Sequence, residues 1–589
     1  MISFKNIIAS PVCCGIAAAL AVTACSDFSD YNGAPVDVMA SGNQTLWENI
    51  SQNAQLSDFA ALVRKAGFVD ELNTPRALTV WAPVNGSFTP SDYEGLSTAD
   101  LLTQFVKSHV AEYTHAASGR VDERIHTLNE KSFTFAGDGS YTYDDIAISQ
   151  ANLPSNNGLM HLLGGVAKFY PNLYEYLSTA AGIDSLRNHF LRYQLTVLDQ
   201  EASVKGPMVD GAQTYIDSVL VTSNSLTRSL NAQLENEDSS YTFIMPTNKA
   251  FLNLYNRVKP YYRFISTTVT PDVESYASAT DTKTKSITID ASYMSDSLTR
   301  RAIVRNLIYS NNDIYNQWLV NKGVYTDTLR STIRGKFSNP HDILEKYAVG
   351  GPVEMSNGYA RLVDSLAFLP WETYCPELVV DPRMNLGALF PASAQANRSQ
   401  SLPDSIIDRL FGPNSGITNY RYMWISPGGD RAKPDFFVTL PNVMSTTYNF
   451  YVVFLPTAWP EVANDNRPNW LNFQLNYCTE KGAVATYNFS KAYADSLLTG
   501  GTLPNVPAAV SGTTAFTNDP EKADTVFIGQ FTFPVAYNGL GSEYTPNIRV
   551  TSPISVFNST QLATYTRDVR IAAIMMRPVE LDEYAAKNK

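Results

Sequence analysis

Apolar positions recur at helical spacing early in the chain and then give way to runs of strand length. Phe59, Leu62, Val63 and Ala66 share one face of a predicted helix over 56–68, with Gly67 as its stop. The stretch 45–50 reads as a helical opening before it. Residues 77–82 form a nearly continuous apolar run that ends in Pro83-Val84-Asn85, which predicts a buried strand closed by a turn. The proline stands where the ladder must end, and Asn85 is expected to bond the backbone that follows it as an Asx turn. Phe88 is expected to plug the core beneath that turn. A helix over 101–110, ending near His109, comes next. The segment closes with Asn157-Gly158 and an apolar strand that carries His161.

The same order recurs, stretched by insertions, between about 240 and 364. Pro246, Asn248 and Phe251 repeat the spacing of Pro83, Asn85 and Phe88. Residues 301–309 stand where the His109 helix stood, and Asn357-Gly358 repeats the closing turn.

From about residue 378 the texture becomes all-β. Segments 436–440, 448–455, 471–477, 524–534 and 570–578 alternate or run apolar over strand lengths, separated by connections rich in Pro, Gly and Asn. That predicts an antiparallel sandwich of roughly 200 residues, with immunoglobulin-like and jelly-roll topologies both open. Trp424, Trp459 and Trp470 lie near its expected loops. Such aromatics stack on sugar faces or anchor a protein partner, or else pack loops and core.

The two repeated strand-turn boxes and their closing boxes resemble the fasciclin domain. The first copy is close. The second lacks the closing-box histidine, has Arg361 near that place, and carries an insertion rich in Tyr, Ser and Thr around 257–297. The resemblance covers about 330 residues and implies two fasciclin-like β-wedge domains with helices, α+β in class, followed by the all-β sandwich. In that family these segments border surfaces implicated in adhesion. For Asn85, Phe88, His109 and His161 the expected roles are packing and turn formation, with ligand contact as the alternative.

The N-terminus changes the picture from fold to address. Residues 7–24 are apolar, broken by Pro11 and Gly15, follow a lone Lys5, and end in small residues before Cys25. This suits a processed leader better than a spanning helix. Cys25 is the expected lipidation site, and several acyl chains hold a protein on a membrane nearly permanently. The acidic stretch after it, Ser26-Asp27-Phe28-Ser29-Asp30, resembles the surface-export signal of Bacteroidota lipoproteins, though a solvated spacer would also be polar. The expected organisation is a leader over 1–24, a tether over 25–43, fasciclin-like domains over 44–178 and 179–377, and a β-sandwich over 378–589.

Composition narrows function by exclusion. A chain of 589 residues with 44% hydrophobic content can bury several cores. Its net charge of −12, made more negative when Lys5 leaves with the leader, argues against a nucleic-acid partner. Beyond Cys25 the mature chain holds only Cys375 and Cys478, read as separate buried thiols or as one disulfide. The sequence has no nucleophile elbow, metalloprotease helix or phosphate-binding loop. Its six histidines (109, 115, 126, 161, 189 and 341) lack metal-ligand spacing. No catalytic residue, metal or cofactor is assigned. The expectation is a non-enzymatic lipoprotein at the outer face of the outer membrane, anchored in lipid. It would be an accessory of a SusC/SusD-type importer that binds or presents oligosaccharide or peptide. An adhesin and a stand-alone glycan-binding protein are the alternatives.

Overall fold

The computed structural model describes residues 42–588 apart from 210, 270–286, 320–327, 339–341, 390–394, 414, 500–513 and 539–544. The leader, Cys25, the tether as far as residue 41, and His341 lie outside the described residues. Two compact units emerge. One runs to Thr179 and includes Leu234–Ser240 and Glu354–Tyr359; the other comprises Ala180–Gln233, Tyr241–Val353 and Ala360–Lys589.

In the first unit, Thr45 and Glu48 form a capping box that starts the helix Leu46–Gln52. The helix Ser57–Lys65 buries Phe59, Ala60, Leu62 and Val63, the stripe expected from the spacing. Both lie over a seven-stranded sheet. Its spatial order is Val110–Glu112, Leu78–Pro83, Gly158–Leu163, Ile146–Ser155, Ser140–Tyr143, Ser132–Asp138 and Arg120–His126. Only the pairing of Leu78–Pro83 with Gly158–Leu163 is parallel. Both strands are buried along their whole length, which is why they read as continuous apolar runs and not as alternation. Leu78, Val80 and Ala82 join the helical core, whereas Trp81 joins a second core with Phe135, Tyr143 and Leu163. Glycine is required at 158, because a Cβ there would collide with the Leu78 carbonyl and the Leu46 side chain. The helix expected over 101–110 is an α-turn at Thr98–Leu101, a π-turn at Leu102–Val106 and a 3-10 turn at Lys107–His109.

The second unit repeats part of this plan. Tyr241–Pro246 is a buried strand, and the helix Asn248–Val258 buries Ala250, Phe251, Leu254 and Val258. Ile308–Ser310 pairs antiparallel with Tyr241–Pro246, as Val110–Glu112 does with Leu78–Pro83. A long two-stranded ribbon, Gln194–Val209 with Ala212–Asn224, is inserted before that strand.

The sandwich has two six-stranded antiparallel sheets. One orders Gln395–Ser401, Arg421–Pro427, Val569–Pro578, Thr447–Phe454 and Asp524–Thr532, with Leu378–Val380 also on Val569–Pro578. The other orders Leu386–Leu389, Asp435–Thr439, Asn547–Thr551, Trp470–Cys478 and Val484–Asn488, with Phe516–Thr517 also on Trp470–Cys478. Count eight strands along the chain from Arg421–Pro427, leaving out Phe516–Thr517. One sheet then runs first, eighth, third, sixth, and the other second, seventh, fourth, fifth. That is jelly-roll order, and it closes the choice the sequence leaves open. Ring contacts join the sheets, with Phe450 5.1 Å from Phe489 and Tyr477 4.6 Å from Phe531. Cys375 and Cys478 are both buried free thiols. Burial pushes the Cys375 thiol up to about 12.

Candidate functional site

The boxes that mark the repeat are fastening devices. The helix Ser57–Lys65 has no side-chain cap of its own. Asn85 supplies one from across the fold: its Oδ1 accepts from Asp58 N at 3.0 Å, and its Nδ2 donates to Ala54 O and Ser57 Oγ, each at 2.9 Å. Asn248 does the same for the helix Asp184–Leu191, also uncapped locally, accepting from Ser185 N at 2.8 Å and donating to Asp184 Oδ2 at 2.8 Å. The Asx turn expected at Asn85 is therefore corrected. The exposed N–H groups at a helix N-terminus need an acceptor, and that demand captures the side chain.

The closing boxes match just as closely. Asn157 Oδ1 accepts from Leu46 N at 2.8 Å, while its Nδ2 donates to Leu72 O and Thr74 O. Asn357 Oδ1 accepts from Leu173 N at 2.9 Å, and its Nδ2 donates to Leu234 O and Asn236 O. Each ties the first turn of an opening helix to two backbone carbonyls farther along the chain. Phe88 packs against Tyr93 and Phe105, and Phe251 is buried on its helix.

His109, His161 and His189 are interior groups held neutral. His109 donates from Nδ1 to Phe105 O at 2.7 Å and accepts at Nε2 from Ala167 N at 3.2 Å. His161 stacks on Trp81, donates from Nε2 to His115 O at 2.9 Å and accepts at Nδ1 from Asn152 N at 3.3 Å. The partners fix both tautomers, and burial lowers both imidazoles to about 4. His189 is lowered to about 4 by burial, with Arg300 and Arg192 adding to the effect.

The three tryptophans singled out from sequence occupy one region of the sandwich. Trp424 lies within Arg421–Pro427, Trp470 opens Trp470–Cys478, and Trp459 sits on a loop. Trp424 and Trp459 both pack on the cluster of Leu402, Ile406, Ile407, Tyr422, Leu455 and Ala572. Trp424 Nε1 donates to Asp568 Oδ2 at 3.1 Å, and the Arg570 guanidinium lies 4.7 Å over its ring. Trp459 Nε1 donates to Glu521 O at 2.9 Å, and Arg409 lies 3.5 Å over its ring. Trp470 stacks on Tyr565 at 5.1 Å. All three are half-buried, each with one ring face already occupied. Asn469 links the region by donating to Thr566 O and Asp568 O.

Sequence reasoning missed Lys131. Its ammonium is almost fully buried between Glu175 at 2.8 Å and Glu237 at 2.7 Å, with Phe169 beneath it. A lone lysine after Asn-Glu carries no sign of burial in the sequence. Among the described residues no three His, Cys, Asp or Glu side chains lie together as a metal site would require. No described helix is long and apolar enough to cross a membrane. A cavity lined by Phe264, Met294, Cys478, Phe533 and Val535 holds about 30 Å³, too small for a sugar.

Residues 54–167 match the family model of the fasciclin domain. No curated protein matches the chain in sequence. Among solved structures, a FAS1 domain pair from the insect cell adhesion molecule fasciclin I is 13% identical; the match covers 55% of this chain and 99% of that one, at a TM-score of 0.20. The C-terminal family 22 carbohydrate-binding module of Clostridium thermocellum Xyn10B is 12% identical over 31% of this chain and 86% of its own, at a TM-score of 0.16. A mannanase from Podospora anserina that joins family 26 glycoside hydrolase and family 35 carbohydrate-binding modules is 12% identical over 31% and 28%, at 0.13.

Proposed function

We propose that this chain is a non-enzymatic cell-surface lipoprotein that serves as an accessory of a SusC/SusD-type outer-membrane importer, binding or presenting oligosaccharide or peptide. The observation that carries the reading is the fasciclin match at 54–167, in a chain whose Cys25 follows a lipoprotein-like leader and precedes an acidic export-like segment. A fasciclin domain supports a role in surface contact. The buried, neutral histidines and the fastened box asparagines supply no nucleophile with an adjacent base, which favours contact over bond-breaking. Ligand contact falls to the tryptophan region, where Trp424 and Trp459 offer half-exposed rings beside the guanidinium groups of Arg570 and Arg409, and Trp470 one beside Tyr565. A deletion strain tests the reading: it should import the cognate oligosaccharide or peptide several-fold more slowly while attaching to surfaces as before.

The fasciclin match also favours a second reading, an adhesin. Lost attachment with normal uptake in that deletion strain would support it. For a stand-alone glycan-binding protein, glycan-array binding should be lost when Trp459 and Trp470 are changed to Ala.

A further inference from the structure

The strands Asp435–Thr439, Asn547–Thr551, Trp470–Cys478 and Val484–Asn488 pair in that order without a bulge, so residues opposite one another share a face. Phe436, Val438, Ile548, Val550, Phe473 and Leu475 are buried on the core side. The alternate positions face away from the core. Along Trp470–Cys478 these are Trp470, Asn472, Gln474 and Asn476. Across the sheet, one row sets Asp435, Thr551 and Asn472 side by side. The next sets Phe437, Arg549, Gln474 and Asn488, and the third Thr439, Asn547, Asn476 and Thr486. Except for Asp435 and Thr551, all are half-exposed or exposed. The outward face of the other sheet is covered. There Ile406 and Ile407 of the helix Asp404–Phe411 cluster with Tyr422 and Ala572, and Asp582 of the helix Val579–Lys587 accepts from Asn449 and Tyr451.

Asparagine is depleted in strands, yet four stand on this one face with a glutamine among them. Local choices that oppose the fold concentrate at functional sites. The amides hold one another in place: Gln474 Nε2 donates to Asn488 Oδ1 at 2.8 Å, Asn476 Nδ2 to Asn547 Oδ1 at 2.9 Å, and Thr486 Oγ1 to Asn476 Oδ1 at 2.7 Å. Arg549 is gripped by both oxygens of Asp435 at 2.7 Å, and Lys433 lies 3.5 Å from the same carboxylate. Asn472 Oδ1 and Thr551 Oγ1, neighbours in register, are buried and meet no partner among the described residues. Trp470, stacked on Tyr565, borders that end of the face.

We propose that this face is the binding platform for a neutral oligosaccharide, an inference that rests on the oligosaccharide half of the function proposed above and gives it a site. Amides carry a donor and an acceptor side by side, which suits sugar hydroxyls that both donate and accept. Their mutual bonds set the orientations beforehand, so little side-chain freedom is lost on binding. The orphaned oxygens of Asn472 and Thr551 call for a hydroxyl or a water, and the Trp470 ring supplies apolar area beside them. Charge selects against an acidic ligand: Arg549 is already engaged by Asp435, and the chain's net charge of −12 repels anions. A peptide is bound along a sheet edge or in an apolar groove, whereas this surface is the polar face of a sheet.

Calorimetric titration of the full mature chain in mild detergent tests the platform, with neutral hexasaccharides of glucose, xylose and mannose and with oligogalacturonate as the acidic probe. At least one neutral hexasaccharide should bind, with an affinity that salt leaves unchanged. Gln474→Ala with Asn476→Ala should weaken it roughly 30-fold, the loss of two hydrogen bonds. Both side chains face away from the core, so the melting temperature should hold. Asn488→Arg, at an exposed position, gives a second readout and should abolish binding by blocking the face. Binding of oligogalacturonate alone overturns the inference, and so does binding that survives these substitutions. If such binding is lost instead in Trp459→Ala, the ligand sits elsewhere and the proposed function stands without this site. If no saccharide binds, the inference fails and only peptide remains as cargo for the proposed importer role.

Discussion

A side chain in this fold is judged best by the backbone groups it satisfies. Asn157 serves one N–H and two carbonyls at once. Asn157→Ala strands all three in the interior and should cost roughly 3 kcal/mol, read from urea melts of the full chain. The two-residue signal Asn-Gly was legible because glycine is forced at 158 by the Leu78 carbonyl. The asparagine's partners were not legible, since they lie 83 to 111 residues away. Asn85 shows the same limit: its place in the turn could be read, but its grip on a helix N-terminus could not. Thiol chemistry gives a further expectation. Folded protein at pH 8 should leave Cys375 and Cys478 unreactive toward a disulfide reagent, because both are buried. Denatured mature protein should titrate two thiols, since acylation blocks Cys25. A third would mean that Cys25 is free.

At the scale of elements, fully apolar strands and one-sided helices were the legible part. Leu78–Pro83 and Gly158–Leu163 are buried on both faces, so their pattern in the chain is strong. The ribbon Gln194–Val209 with Ala212–Asn224 went unread, although Asp210-Gly211 between apolar alternations is the strongest short hairpin signal. Its exposure is the reason: nothing in an apolar alternation tells a buried strand from one facing water. The helix Leu173–Thr179 adds a case the sequence hides altogether. Glu175 in its first turn and Glu237 hold Lys131, whose side chain is only 4% exposed. Lys131→Ala leaves the buried Glu237 carboxylate without its cation and should cost about 3 kcal/mol or more, whereas a Lys131→Ala, Glu237→Gln double variant should recover part of the loss. Chemical denaturation of the three proteins checks both statements.

For the whole molecule, acid is the discriminating stress. His109 and His161 have folded values near 4, below the ordinary 6.5 of an exposed imidazole, so the unfolded chain binds more protons between those limits. Their contribution is complete above about pH 6.5 and is lost as pH falls toward 4, at about 1.4 kcal/mol per pH unit for each histidine. Both lie in the first unit, whereas among the described residues of the second only His189 is of this kind. Hydrogen exchange from pH 7 to 4.5 should therefore show the fasciclin-matched unit opening first. The architecture itself was legible as a repeat followed by a β-rich region, because box spacing and strand-length runs are sequence properties. The jelly-roll order was not, since it rests on pairings such as Arg421–Pro427 with Val569–Pro578 across 144 residues. The claim on which the functional account stands is a membrane-anchored chain that works by contact with an importer. Affinity purification of the native protein from cells in mild detergent tests it most directly. A large outer-membrane β-barrel should co-purify in near-equal amount, and recovery of the chain with no barrel, at full yield, would contradict the account.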